Sequence, residues 1–148
     1  YSKNTLKSIV KTQRLHFTDS GLCCHLLGIH SVEEFIQHPL AGHVFESYVV
    51  GEIIKNARNN GDDAAFYFYR EEGKKKQIDN QSVAEIDLIK ESGNKVYPIE
   101  IKMSASPSIH MARHFEKLES DMMGTIVCLS SKKTILSKNL LVMPISMI

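Results

Sequence analysis

The stretch on which the fold turns is Glu85-Ile86-Asp87-Leu88-Ile89, then the polar break Glu91-Ser92-Gly93-Asn94, then Pro98-Ile99-Glu100-Ile101-Lys102. Both flanking runs alternate with the period of two that belongs to a strand, and the break between them carries turn residues, so they fold into an antiparallel hairpin. Alternation sets Asp87 on one face with Ile86 and Leu88 on the other, and puts Glu100 and Lys102 on the same side of their strand. A two-residue loop at Ser92-Gly93 pairs Asp87 with Pro98. Glu100 then lies diagonally beside Asp87, about 7–8 Å away backbone to backbone, near enough for the two carboxylates to share a metal ion. Two acids and a lysine gathered on one patch of sheet are costly to place there for stability alone. The patch reads as a site.

Upstream, the sequence predicts a long helix over residues 40–59, ending in Asn59-Asn60-Gly61. At 100° per residue, Val49, Val50, Ile53 and Ala57 share a stripe with Glu46 near its middle, which turns a carboxylate toward the sheet that the helix covers. Such a group needs a cation or hydrogen-bond donors. Gly42, one turn earlier on the same side, leaves room for a ligand to approach the backbone. The rest of the order is a strand at 15–18, a helix through 22–27 capped by Asp19-Ser20 and stopping at Gly28, and a short helix opened by the capping box Ser31 to Glu34 and closed by Pro39. An aromatic strand at 65–70, a lysine-rich loop at 71–82, the hairpin, a helix at 108–119, a strand at 124–129 and a last strand at 140–144 closing the sheet complete it. The expected fold is an α/β (α+β) sandwich with an αβββαβ core, a mixed central sheet flanked by helices, and a small helical segment at the N-terminus. Residues 1–39 pack on a core of 40–148, the whole forming one compact domain.

Composition permits this. The 148 residues are 43% hydrophobic and 24% charged, enough for a single packed core. The net charge of +1 supplies no global basic field, so phosphate binding must rest on a local patch. Cys23, Cys24 and Cys128 suit neither a disulfide framework nor a zinc knuckle, and a reducing, cytoplasmic setting follows. The sequence predicts no membrane span and no signal peptide. A start at Tyr1 and an apolar end at Ile148 suggest a fragment of a longer protein.

A helix glutamate, a strand aspartate, then Glu-x-Lys on the next strand, inside αβββαβ, resembles the PD-(D/E)XK nuclease superfamily. The aspartate motif is here Glu85-Ile86-Asp87, without the proline of the family name. The segments Leu15 to Leu22, Ala41 to Glu46, Phe68-Tyr69-Arg70, Glu85 to Ile89 and Pro98 to Lys102 look like the nuclease-like domain of unknown function at the C-terminus of bacterial and archaeal AAA-type P-loop ATPases. The lysine-rich loop at 71–82 is longer than that pattern. This chain carries no Gly-x4-Gly-Lys-Ser/Thr motif, so the resemblance places the ATPase, and with it ATP, in an upstream domain.

The chemistry implied is metal-dependent phosphodiester hydrolysis on DNA or RNA. Asp87 and Glu100, with the carbonyl of Ile101, suit a hard divalent cation, Mg2+ or Mn2+, and Glu46 binds through water or serves a second ion. Lys102 orients the attacking water or stabilises the pentavalent phosphorus. Arg70 and Lys74, Lys75 and Lys76 are candidate phosphate contacts, against a sheet-edge salt bridge for Arg70 and a solvated loop for the lysines. Glu85 shares the face of Asp87. His110 and His114 have zinc-compatible spacing but no third ligand, and Cys23 and Cys24 read as core. The competing reading is a non-catalytic module of nuclease fold that serves docking or regulation of the ATPase.

Overall fold

The structure is a computed structural model that describes residues 14–71, 84–118 and 122–148. Among the described residues three helices come first: α1 (Ser20–Leu26), α2 (Val32–Gln37) and α3 (Ala41–Asn59). Six strands follow: β1 (Ala65–Arg70), β2 (Glu85–Ser92), β3 (Lys95–Lys102), β4 (Gly124–Cys128), β5 (Thr134–Ser137) and β6 (Leu140–Pro144). They form one mixed sheet in the order β1-β2-β3-β4-β6-β5. The first three strands run antiparallel, β4 pairs in parallel with both β3 and β6, and β5 returns antiparallel along β6.

Local chemistry explains the helix ends. Asp19 accepts the Leu22 amide at 2.8 Å and Ser31 accepts the Glu34 amide at 3.1 Å, each satisfying a donor at a helix start. The Glu34 carboxylate accepts from the His30 amide at 2.6 Å, one residue upstream of the reciprocal bond a capping box makes. At the end of α3 the Asp62 amide donates to the Ala57 carbonyl at 2.8 Å and the Gly61 amide to Arg58 at 3.1 Å, the paired bonds of a Schellman closure.

Helix α3 covers one face of the sheet, where Phe45, Val49 and Val50 pack with Leu88, Ile99, Ile101 and Val127. The other face is closed by residues between β3 and β4: Leu118 joins Tyr69, Ile86 and Ile89, and Ala112 joins Ile126, Cys128, Leu140 and Val142. This connection holds two 3-10 turns, Ile109–Ala112 and Phe115–Lys117, where the sequence predicts one α-helix. Ala112, Phe115 and Leu118 recur every third residue and face the core, a spacing that 3-10 turns stack on one side and an α-helix does not, whereas Ile109 is exposed. Phe115 lies so close to Gly124 that a Cβ there has no room.

Other expectations are corrected. Residues 15–18 form no strand: Leu15 is 93% exposed and the alternate residues Arg14 and His16 turn inward instead. The strand at 140–144 does not close the sheet, because β5, missed from sequence, lies outside it. Thr134–Ser137 is exposed but for one half-buried residue, so it lacks the apolar alternation that marks a strand.

The hairpin register also differs. Ser92 pairs with Lys95 and Ile89 with Pro98, so the loop is Gly93-Asn94, entered by Gly93 at φ 60°, a region that only glycine adopts without cost. Moving the loop by one residue shifts the pairing by two, and the ladder then points Asp87 at Glu100 rather than at Pro98. Nor do Ile86 and Leu88 share a face: Ile86 packs with Ile89 on the far side and Leu88 packs under α3. The β1–β2 pairing explains why. Tyr67 faces Ile89 and Tyr69 faces Ile86, so Phe68 alone spans Asp87 and Leu88. That is a β-bulge, and it re-aims Asp87.

Candidate metal centre

The bulge carries Asp87 to the place where the β2–β3 ladder ends at Leu88–Ile99. There its Oδ2 accepts from the Ile101 amide at 2.8 Å. A backbone donor that the ladder leaves unpaired is thus satisfied by a carboxylate. Lys102 Nζ lies 2.6 Å from Glu100 Oε1 and 3.3 Å from Asp87 Oδ2, joining the two acids across the gap. Glu46 arrives from α3, buried like Asp87 and Glu100. The four side chains line one cleft of about 450 Å³, together with Glu85 and with Ser108, His110, Arg113 and His114 from the connection to β4. An apolar cavity of about 480 Å³, between the N-terminal helices and the C-terminal turn, holds no carboxylate, lysine or arginine in its lining.

Sequence reasoning missed Arg14. Its Nη2 lies 3.1 Å from Glu46 Oε1 and its Nη1 lies 2.9 Å from Glu85 Oε1 and 4.0 Å from Asp87 Oδ1. The same guanidinium sits over the Phe68 ring, 5.7 Å from its centroid, at the bulge. Its partner Glu46 is 32 residues away along the chain, so no local pattern announces the contact.

Four acids, Glu46, Glu85, Asp87 and Glu100, meet Arg14 and Lys102 here, behind partial burial, with Arg113 also in the cleft lining. Burial, then the charge of Asp87, pushes the Glu46 carboxyl up to about 7, against the pull of Arg14. Burial and Asp87 likewise push Glu100 up to about 7, opposed by Lys102. Burial works against the Lys102 ammonium, but Asp87 and Glu100 outweigh it and its pKa is raised. Desolvation leads both shifts, and the neighbouring Asp87 charge adds to it.

These groups offer carboxylate oxygens, the donors of a hard divalent cation, and their deficit of positive charge is what such an ion relieves. The donor chemistry therefore fits Mg2+ or Mn2+. In the arrangement shown, Arg14 and Lys102 pair with these carboxylates. Among the described residues, no three His, Cys, Asp or Glu side chains converge closely enough to hold an ion. Among the described residues His110 and His114 line the cleft without forming a metal site, and the Arg113 Nε–H donates to His114 Nε2 at 3.0 Å. Burial and the neighbouring Arg113 and Lys117 lower the His114 pKa.

Arg70 is exposed at the end of β1, opposite Glu85 in the ladder and outside the cleft lining. Lys74, Lys75 and Lys76 lie outside the described residues. Cys23 and Cys128 are buried and free, and Cys24 is half-buried. No helix among the described residues is long and apolar enough to cross a membrane.

No curated protein matches the chain. One sequence family matches residues 41–148, a span that takes in Glu46, Asp87, Glu100 and Lys102 and leaves Arg14 outside. On that match the chain belongs to the family described as a domain of unknown function, DUF4143.

Proposed function

We propose that the cleft is the centre of a metal-dependent phosphodiesterase acting on DNA or RNA, within the C-terminal part of an AAA-type ATPase. One observation carries the reading. A β-bulge brings Asp87 to the Glu100-x-Lys102 strand, beneath a helix glutamate and inside an open cleft, at a cost in charge repulsion that folding does not require. The resemblance to PD-(D/E)XK nucleases supports it. Asp87, Glu100 and the Ile101 carbonyl would hold Mg2+ or Mn2+, with Glu46 at its outer side. The bound ion supplies charge neutralisation and a more acidic water.

The protein's own part is to position. Lys102, steadied by two carboxylates, faces the cleft with its ammonium fully charged and stabilises negative charge that grows on the phosphoryl oxygens. Hydrolysis adds water oxygen to phosphorus and breaks the ester P–O bond. One water proton ends on the leaving oxygen, giving a phosphate monoester and an alcohol. The test is cleavage of single- and double-stranded DNA and RNA by the full-length protein with Mg2+ or Mn2+. Glu100→Ala is expected to lower the rate by about 100-fold or more, since it removes a ligand whose ion contributes several kcal/mol. Equal cutting by the variant, or no cutting by the parent across metals and substrates, overturns the reading.

A second reading has its own observation. An arginine fills the acid cluster, as it would in a nuclease-fold module kept for docking or for regulating the ATPase. Absence of cleavage with an intact fold favours that module.

A further inference from the structure

We propose that Arg14 is an intramolecular stand-in for the divalent cation, and that loading the metal requires its guanidinium to leave the acid cluster. The inference rests on the metal-binding half of the function proposed above, not on the hydrolytic half.

The geometry supports a replaceable plug. Arg14 reaches Glu46 through Nη2, 3.1 Å from one carboxylate oxygen and 3.3 Å from the other, so both oxygens face it. Its Nη1 reaches Glu85 and Asp87. Glu46, at the outer side of the proposed ion, turns both oxygens to Arg14, and an oxygen turned to a guanidinium is not free to turn to an ion, while the ligands Asp87 and Glu100 are joined by Lys102. Arg14 Nη2 donates a hydrogen bond to Glu46 Oε2, but Arg14 Nη1 and Glu46 Oε1 have no hydrogen-bond partner of proper geometry. A ligand that offers Glu46 Oε1 a better-directed partner therefore gains where Arg14 does not.

The carrier of the plug is lightly held. Residues 14–19 are in neither helix nor strand, with Leu15 93% and Phe17 51% exposed. His16 Nδ1 lies 3.4 Å from Ser47 Oγ, and at the far end of the stretch Asp19 caps α1 by accepting from the Leu22 amide at 2.8 Å. Arg14 lies outside residues 41–148, the span that matches the family. Linkage then works both ways: a cation that binds only after Arg14 has left releases the segment, and removing Arg14 tightens the cation.

Two measurements test this on the whole chain. In Mn2+ calorimetry, Arg14→Gln is expected to bind at least ten-fold more tightly than the parent. Affinity within two-fold of the parent, or weaker, overturns the proposal. The second uses the unaltered protein and separates displacement from a mere change of field. Trypsin needs the arginine side chain in its own pocket, so engaged Arg14 shields the Arg14–Leu15 bond although Leu15 is exposed. Saturating Mn2+ is expected to speed that cut at least three-fold relative to the cut after Lys138, in the exposed turn before β6. An unchanged or slowed cut overturns the proposal. If Mn2+ exposes Arg14 but the protein cuts no nucleic acid, the inference stands and the phosphodiesterase reading falls. If the protein cuts nucleic acid while the tryptic rate ignores Mn2+, the reverse holds.

Discussion

At its hairpin end β2 offers Lys90 and Ser92 to Asp62, whereas at its other end it offers Glu85 and Asp87 to Glu46 and Glu100. Asp62 has a lysine at 2.6 Å, the Ala64 amide at 3.0 Å and the Ser92 hydroxyl at 3.4 Å. The Lys90 hydrogen bond leads these in pulling its pKa below the ordinary value, and the acid is a settled surface partner. In the cleft, acids outnumber cations and burial raises the cost of each charge, so Glu46 and Glu100 rise to about 7. Both ends bring carboxylates to a lysine. What separates a structural ion pair from a candidate site is the balance of charge and the water removed around it.

The largest effect that can break this contrast is the pH dependence of metal-free stability. Glu46 and Glu100 have folded values near 7, above the ordinary 4.5 of the unfolded chain. Their contribution is therefore fully present below about pH 4.5 and is lost as pH rises through about 7. Asp62 is shifted the other way from 3.8, so its contribution holds above that value and fails only in stronger acid. His16, whose pKa burial and then Arg14 depress, weakens the fold as pH drops below 6.5 and works against the glutamates. The readout is consequently a difference. In chelator, the melting temperature of the parent is expected to fall by several degrees relative to Glu46→Gln between pH 5 and pH 8. Parallel profiles for the two proteins contradict the assignment.

A smaller effect sharpens the contrast, using one substitution at both ends of the strand. Asp87→Asn keeps an oxygen for the Ile101 amide and removes the charge that raises Glu46 and Glu100. Without metal it is expected to leave the melting temperature unchanged or to raise it by a degree or two, that is, by under about 1 kcal/mol. Asp62→Asn loses a satisfied ion pair and is expected to lower it slightly. Opposite signs at matched pH support the account. A clear loss for Asp87→Asn shows instead that the cleft acids are structural partners of Arg14 and Lys102.

Much of this contrast was legible in the sequence, and the gaps have physical causes. Strands at 65–70 and 140–144 have the predicted bounds, because aromatic and branched residues sit between clear breaks. Helix α3 and the inward turn of Glu46 follow from a 100° period alone. The hairpin was legible but its register was not: Ser92-Gly93 and Gly93-Asn94 are both plausible loops, and only the position of the positive φ decides. The bulge at Asp87-Leu88 was hidden because alternation looks unbroken when the extra residue is itself apolar. The 3-10 connection was hidden because its spacing of three mimics part of an α-helical stripe. Arg14 was beyond reach, since an ion pair between distant segments leaves no periodic trace. The sequence thus disclosed the acids and Lys102 but not the cation opposing them.

The central claim is that the cleft at the bulge of β2 takes a divalent cation on Asp87. Calorimetric titration of Mn2+ or Mg2+ into the parent and into Asp87→Ala tests it most directly. The account predicts a saturable heat in the parent and its loss in Asp87→Ala, with the fold of the variant verified by its melting transition. The same isotherm in both proteins, or no binding heat in the parent at millimolar metal, would contradict it.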